Sequence, residues 1–178
     1  MDLADVRKNI NVIDDSMKEL FDKRLVCSSQ VASVKMDNND EVYKPAREQE
    51  ICQRFLEQGA HEYVCFVKKV MQISRKYQYN MFIDNDRADE DFIKGFYENI
   101  DNIVANDGIL CLKLKADTTG NNGLNVKDIL SVISDTTLEI KDISVKGDMV
   151  TVYFVVGEND ICEACLVSYM LYKETLVI

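Results

Sequence analysis

The chain is poor in the residues that interrupt helices, since its 178 residues include one proline and seven glycines. The first 44 residues contain neither, and a stretch of this kind favours a long helix. A single histidine cannot supply a metal site built from several histidines, and it leaves few partners for a catalytic triad. We therefore expect no metal and no cofactor.

Basic residues and long apolar runs are also scarce. The chain has 21 Lys and Arg against 31 Asp and Glu, a formal net charge of -10. Because phosphates attract basic surfaces, this balance argues against a nucleic acid or an anionic membrane as a partner. No run approaches the ~18 apolar residues that a bilayer span needs. The N-terminal residues are charged and do not resemble a signal peptide, and we interpret the six cysteines as reduced thiols. Both features predict a cytoplasmic protein.

The acidity is concentrated in the second half of the chain. Residues 1–84 carry a net charge of -1, whereas residues 85–178 carry -9. A shift of this size predicts a domain boundary. We expect a helical domain over residues 1–84, an acidic linker with an amphipathic helix over 85–107, and a second domain over 108–178.

The N-terminal part is predicted to be all-helical in a long-short-long arrangement. An apolar stripe, which we call the seam, predicts one helix of about 35 residues. No other predicted helix of the chain is as long, so we expect this helix to pack against a second copy of the chain. Pro45 predicts the start of a short helix that ends at Gly59. A third helix is predicted from about His61 to about Phe82. The seam of the first helix consists of Leu3, Val6, Ile10, Ile13, Met17, Leu20, Cys27, Val31 and Val34.

Four polar residues lie where these helices should be apolar: Arg24, Glu48, Ser74 and Gln78. A single one would be explained by control of helix register. Four, drawn from all three helices, indicate a buried polar pocket. Lys35 lies three turns after Arg24, roughly 16 Å along the same face, so the two cations can bracket a small dianion.

Short segments around these positions form a recognisable set: Val6-Arg7-Lys8-Asn9-Ile10 with Ile13-Asp14, Arg24, Val31-Ala32-Ser33-Val34-Lys35, Tyr43-Lys44-Pro45-Ala46-Arg47-Glu48 and Ser74-Arg75-Lys76-Tyr77-Gln78. Together, over residues 1 to about 82, they resemble the all-helical class of chorismate mutases. The resemblance implies an intertwined homodimer that converts chorismate to prephenate in the biosynthesis of Phe and Tyr. This Claisen rearrangement needs no nucleophile, no metal and no obligatory proton transfer.

The resemblance also implies four catalytic residues. By similarity, Lys35 and Gln78 donate hydrogen bonds to the breaking ether oxygen, where negative charge grows. Arg24 holds a substrate carboxylate. Glu48 serves the ring hydroxyl and positions its neighbours. All four also contact the substrate in this interpretation.

Three further residues are expected to bind the substrate by similarity: Arg7, Arg47 and Ser74. Ser74 contacts the second carboxylate, and Arg47 assists Glu48. Arg7 lies about 25 Å from Arg24 along the same helix, so a second chain must supply it. The family often has an acidic residue at the position of Lys44. Because this chain has a lysine there, we assign no role to Lys44.

The second half predicts the order β-α-β-β-α-β, a ferredoxin-like arrangement that ends in a strand at Thr175 to Ile178. This order resembles the ACT domains, small regulatory domains that bind amino acids. The resemblance implies an effector site, with Phe or Tyr as the effector, at the first strand-helix turn. Asn121, Asn122 and Gly123 occupy that turn, which is equally well interpreted as an ordinary glycine-containing loop.

Two other functions remain open. The same cations could serve an isochorismate pyruvate lyase on the same scaffold, or a non-catalytic dimeric sensor of small anions. The presence of both Lys35 and Gln78 favours catalysis, because these groups serve the transition state more than binding.

Overall fold

A computed structural model describes residues 2–119 and 122–175 of the chain. Its first helix, α1, spans Leu3–Asp37, and the Asp2 side chain caps it by accepting a hydrogen bond from the Ala4 amide. Asn39, at a φ of 51°, follows the end of α1. The predicted single long helix is therefore confirmed.

Two more helices complete the N-terminal arrangement. Helix α2 spans Pro45–Glu57, and Pro45 stands in its first turn, where the missing amide costs nothing. Gly59 follows at a φ of 72°, a conformation that glycine adopts without strain, and helix α3 then spans His61–Asp84. Both α1 and α2 pack against α3.

Most of the seam on α1 is uncovered in a single chain. Within α1 the buried residues are Ser28 and Ala32, both in its second half. The exposed seam residues of α1 include Leu3, Val6, Ile10, Ile13, Met17, Leu20, Val31 and Val34. A contiguous apolar stripe of this length on a water-facing helix marks an interaction surface.

In the described residues, the second half contains a fourth helix and a three-stranded antiparallel sheet. The elements are α4 at Glu90–Asn106, β1 at Ile109–Lys115, α5 at Val126–Ser134, β2 at Glu139–Lys146, β3 at Met149–Val155, a short 3-10 turn at Glu158–Asp160 and α6 at Ile161–Glu174. The acidic linker that begins at residue 85 connects α3 to α4, whose N-cap is Asp89. The strands lie in the order β1-β3-β2, so β3 is central, and Gly147 turns the β2-β3 hairpin at a φ of 64°.

These elements follow the predicted order up to the second helix. Residues 176–178, which belong to the predicted fourth strand, lie outside the described residues, and Thr175 forms a bend. The division into domains, with the boundaries given above, stays a prediction.

The last helix joins the two halves of the molecule. Helix α6 packs against α3, α4, α5 and β1, and nine of its residues are buried. One hydrophobic core includes Tyr79 and Phe82 of α3 together with Phe154 of β3 and Tyr169 of α6. The Tyr79 and Tyr169 rings meet edge to face at 5.7 Å. The end of α6 is therefore held beside the helical part. Among the described residues, no helix has both the length and the apolarity to cross a membrane.

Candidate active site

Arg24 lies against α3. Its guanidinium donates hydrogen bonds to the Ser74 hydroxyl and, at 3.3 Å, to the Val70 carbonyl, and the Ser74 hydroxyl donates to that same carbonyl at 2.8 Å. Burial lowers the pKa of Arg24, and the charge of Glu48 acts in the opposite direction. Arg24 and Ser74, two of the four polar residues predicted to form a pocket, are thus in direct contact. The charge of Glu48, a third of them, lies close enough to affect Arg24.

Lys35 is a half-buried cation on the same helix. Its Nζ donates a 2.6 Å hydrogen bond to the Val42 carbonyl in the connection before α2. Burial lowers its pKa, and the charges of Asp40 and Glu48 oppose that shift. Glu48 therefore acts on both Arg24 and Lys35, as expected for the centre of a small polar site.

Gln78 is buried on α3, one turn after Ser74. Within the described residues its Oε1 has no hydrogen-bond partner. A buried amide oxygen without a partner is costly, so such groups call for a functional or solvent explanation. A pocket that takes a polar ligand beside Gln78 would supply one.

Glu48 does not stand alone on the inner side of α2. Both of its carboxylate oxygens accept hydrogen bonds from Nη1 of Arg75, at 2.5 and 2.6 Å. The Nε of Arg75 donates at 2.7 Å to Glu174, at the end of α6. The structure therefore adds Arg75 and Glu174, for which the sequence predicted no role.

Two of the predicted substrate-binding residues lie elsewhere in the single chain. Arg47 pairs with Glu50 at 2.7 Å and its side chain is 62 % exposed, because neighbours on a helix point about 100° apart and Glu48 takes the inner side. Arg7 is exposed near the start of α1. Lys44 pairs with Asp40 on the surface. The structure therefore joins Arg24 to Ser74, with Gln78 buried one turn further along α3, and the charge of Glu48 reaches both Arg24 and Lys35. It brings neither Arg7 nor Arg47 to these residues.

A cavity of about 860 Å³ lies between α2, α3 and the start of α5. Glu48 and Arg75 form part of its wall, and Lys68, Lys127 and Gly123 line it elsewhere. Its volume is in the range of small-molecule sites. The loop before α5 thus meets the helical part at this cavity.

Asp117 shapes the loop that was interpreted as an effector turn. Its carboxylate accepts hydrogen bonds from the backbone amides of Thr119, Asn122 and Gly123 and from the Thr119 hydroxyl. Hydrogen bonds from Thr119, Asn122 and Gly123 hold the pKa of Asp117 well below its usual value. Asn121, which was predicted to contact an effector, lies outside the described residues.

The site is rich in hydrogen-bond donors of two kinds. Arg24 and Lys35 provide positive charge, while Ser74 and Gln78 provide neutral polar groups. Donors of both kinds bind carboxylates and stabilise an oxyanion that forms during a reaction. Among the described residues there is no group of three or more His, Cys, Asp and Glu that could hold a metal ion.

Comparison with known proteins identifies a family for this part of the chain. The family model described as chorismate mutase type II matches residues 6–104. The match begins in α1 and ends in α4, so it includes every predicted site residue of the helical part and more than half of the chain. No curated protein matches, and no solved structure matches.

Proposed function

Because the chain belongs to the chorismate mutase type II family, whose members are isomerases, we propose that it converts chorismate to prephenate in the biosynthesis of aromatic amino acids. The observation that carries this proposal is the cluster of Arg24, Ser74, Lys35 and Glu48 on the inner sides of the first three helices. A small site of this composition suits a dianionic substrate.

In the proposed reaction the chain provides orientation and charge stabilisation. Chorismate must be held with its enolpyruvyl side chain folded over the ring, in a geometry close to the transition state. Arg24 and Ser74, already in contact, then bind carboxylates. Lys35 and the Gln78 amide donate to the ether oxygen as its bond breaks and its negative charge grows. Glu48 faces the ring hydroxyl.

We also propose that the active form is a homodimer in which the partner subunit's Arg7 completes each site. The exposed seam of α1 supports this, since a second copy of the same stripe would cover it. The position of Arg7, about 25 Å from Arg24 on one helix, agrees with a contribution across the dimer interface.

The decisive test is the loss of chorismate absorbance with purified protein, followed by identification of the product. Formation of prephenate supports the proposal. Release of pyruvate and salicylate from isochorismate, without turnover of chorismate, would establish the lyase instead. Saturable binding of chorismate with no turnover at high enzyme concentration would identify a sensor.

For regulation, we propose that Phe or Tyr binds in the cavity between α2, α3 and α5 as a feedback effector. The cavity offers Lys68 and Lys127 to a carboxylate and Asp128 to an ammonium group, and Gly123 of the predicted effector turn lines it. Isothermal titration should give saturable heat with one of the two amino acids, and Lys127→Ala should weaken it. No heat with either amino acid would overturn the regulatory proposal and leave the catalytic one intact.

A further inference from the structure

Arg75 joins α2 to the end of α6 through one buried guanidinium. It is 6 % exposed, donates to both carboxylate oxygens of Glu48 through Nη1, and donates to Oε1 of Glu174 through Nε at 2.7 Å. Its guanidinium carbon lies 4.8 Å from the centre of the Tyr43 ring, a cation-π contact. Two acids and one aromatic face therefore fix its orientation.

The cation keeps its charge although it is buried. Burial acts to lower the pKa of Arg75, but the charges of Glu174 and Glu48 and the hydrogen bonds to them outweigh it and raise the pKa. The Glu174 side chain is 0 % exposed, so water cannot replace its contact with Arg75. Glu48 is 24 % exposed, so part of it stays accessible to a ligand.

We propose that Arg75 is a positioning residue for the isomerase site, one that fixes the Glu48 carboxylate while Glu174 fixes Arg75, so that the last helix of the chain helps to shape the active site. This inference rests on the proposed function, because Glu48 is the residue assigned to the substrate hydroxyl. It extends the site beyond residues 6–104, which the family match covers, since Glu174 lies outside that range.

The side-chain chemistry explains why this position needs arginine. A guanidinium is a planar fork whose nitrogens can serve two carboxylates on different sides, as Nε and Nη1 do here. The single ammonium group of a lysine is a point charge on a flexible stem and cannot hold both acids in fixed directions. We therefore expect Arg75→Lys to fold but to hold Glu48 poorly.

A second ion pair between the same helices provides the matched control. Lys76 of α3 donates to Glu163 of α6 at 2.5 Å. This pair also ties α6 to α3, but neither residue contacts Glu48. Lys76→Met should leave kcat within about twofold of wild type, because a partly exposed ion pair contributes little to stability and neither of its residues contacts Glu48.

The experiment is a double-mutant cycle on kcat and KM for chorismate. Arg75→Met combined with Glu174→Met removes the two most buried charges together, so that neither is left alone in the core, and releases the Glu48 carboxylate, which is 24 % exposed. We expect kcat to fall at least tenfold with a smaller change in KM, since a misplaced group costs about that much or more. In a Glu48→Ala background the same double change should cost almost nothing, because its effect passes through Glu48.

The outcomes separate this inference from the proposed function. An inactive wild-type protein overturns the proposed function and, with it, the role given to Arg75. If the wild type is active, two results overturn the inference alone. The first is an Arg75→Met/Glu174→Met variant that keeps full kcat. The second is a loss of kcat from this double change that is as large in the Glu48→Ala background as in the wild-type background. Arg75→Lys adds a check that a purely structural role would not meet: near-native melting temperature with reduced kcat.

Discussion

The ammonium of Lys35 donates a 2.6 Å hydrogen bond to the Val42 carbonyl, seven residues further along the chain. The bond ties the last turn of α1 to the connection that leads into α2. The position of the Lys35 ammonium is therefore fixed before any substrate arrives. A donor that is already oriented costs little reorganisation when charge develops on the substrate.

Replacing Lys35 with alanine should reduce turnover on the order of 10²-fold or more, because it removes one donor to the ether oxygen. The loss should appear in kcat much more than in KM. Lys23→Ala is the matched control, since Lys23 is an exposed lysine on the same helix that pairs with Glu19. A change confined to KM would show that Lys35 binds the substrate without stabilising the transition state.

Activity should also fall at alkaline pH because of Lys35. Burial lowers the pKa of this amine below its ordinary value of 10.5, so its positive charge is present at low pH and is lost as the pH rises through the lowered pKa. The alkaline limb of kcat should therefore lie at lower pH than expected for an exposed lysine. Lys35→Arg, which keeps its charge, should remove that limb, and an unchanged limb would assign it to another group.

Gln78 provides a sharper test of the second donor. Gln78→Ala should lower kcat on the order of 10²-fold. In Gln78→Glu, a protonated carboxyl can still donate a hydrogen bond but an ionised one cannot. Activity of that variant should therefore rise as the pH falls from neutral to acidic values, a range in which the wild type, with a neutral amide, should show no such rise. A pH profile of Gln78→Glu parallel to that of the wild type would contradict a donor role.

Local patterns in the sequence were sufficient to predict the first three helices and the β-α-β-β order of the second half. Each depends on contacts within a helix face or a turn, such as the seam of α1 or the turn at Gly147. The packing of α6 on α3 could not be predicted in this way. It brings Tyr169 to Tyr79, residues 90 positions apart, and no periodicity in either helix specifies its partner.

The candidate site could be predicted only where polar residues occupy helix positions that should be apolar. Arg24, Ser74 and Gln78 were found because they lie at apolar positions. Arg75 lies about 100° around the helix from Ser74, on a side for which the sequence predicted no role. It is buried because α6 covers it and brings Glu174, 99 residues away. A glutamate at the end of a mostly apolar helix was the signal that could have indicated a buried partner.

Glu174 should make stability depend on pH in the neutral range. Burial raises its pKa from 4.5 to about 7, against the opposing charge of Arg75 and the hydrogen bond that Arg75 donates. The pKa of Glu174 is higher in the folded protein than in the unfolded chain. Its contribution to the free energy of unfolding is therefore fully present below about pH 4.5 and is lost as the pH rises to about 7. The free energy of unfolding of Glu174→Gln, relative to wild type, should therefore increase over this window.

Urea unfolding at about pH 5 and about pH 8 measures this change. Glu163→Gln, which removes the other α6 carboxylate paired with α3, is the matched control and is subtracted at each pH. If the free energy of unfolding of Glu174→Gln, relative to wild type, does not increase between the two pH values, Glu174 does not take up a proton in the folded state.

The dimer proposal predicts that two inactive variants restore activity when they are mixed. In a dimer of one Arg7→Ala chain and one Arg24→Ala chain, one site keeps Arg24 and receives the partner subunit's Arg7, while the other site has neither. After unfolding and refolding of an equal mixture, about a quarter of all sites should be intact, as follows from random pairing in a two-fold dimer. A mixture of Arg24→Ala and Lys35→Ala is the matched control, because each site then lacks a residue of its own chain and activity should stay absent. Failure of the first mixture to regain activity, with heterodimers demonstrated by mass, would show that Arg7 does not act across the interface.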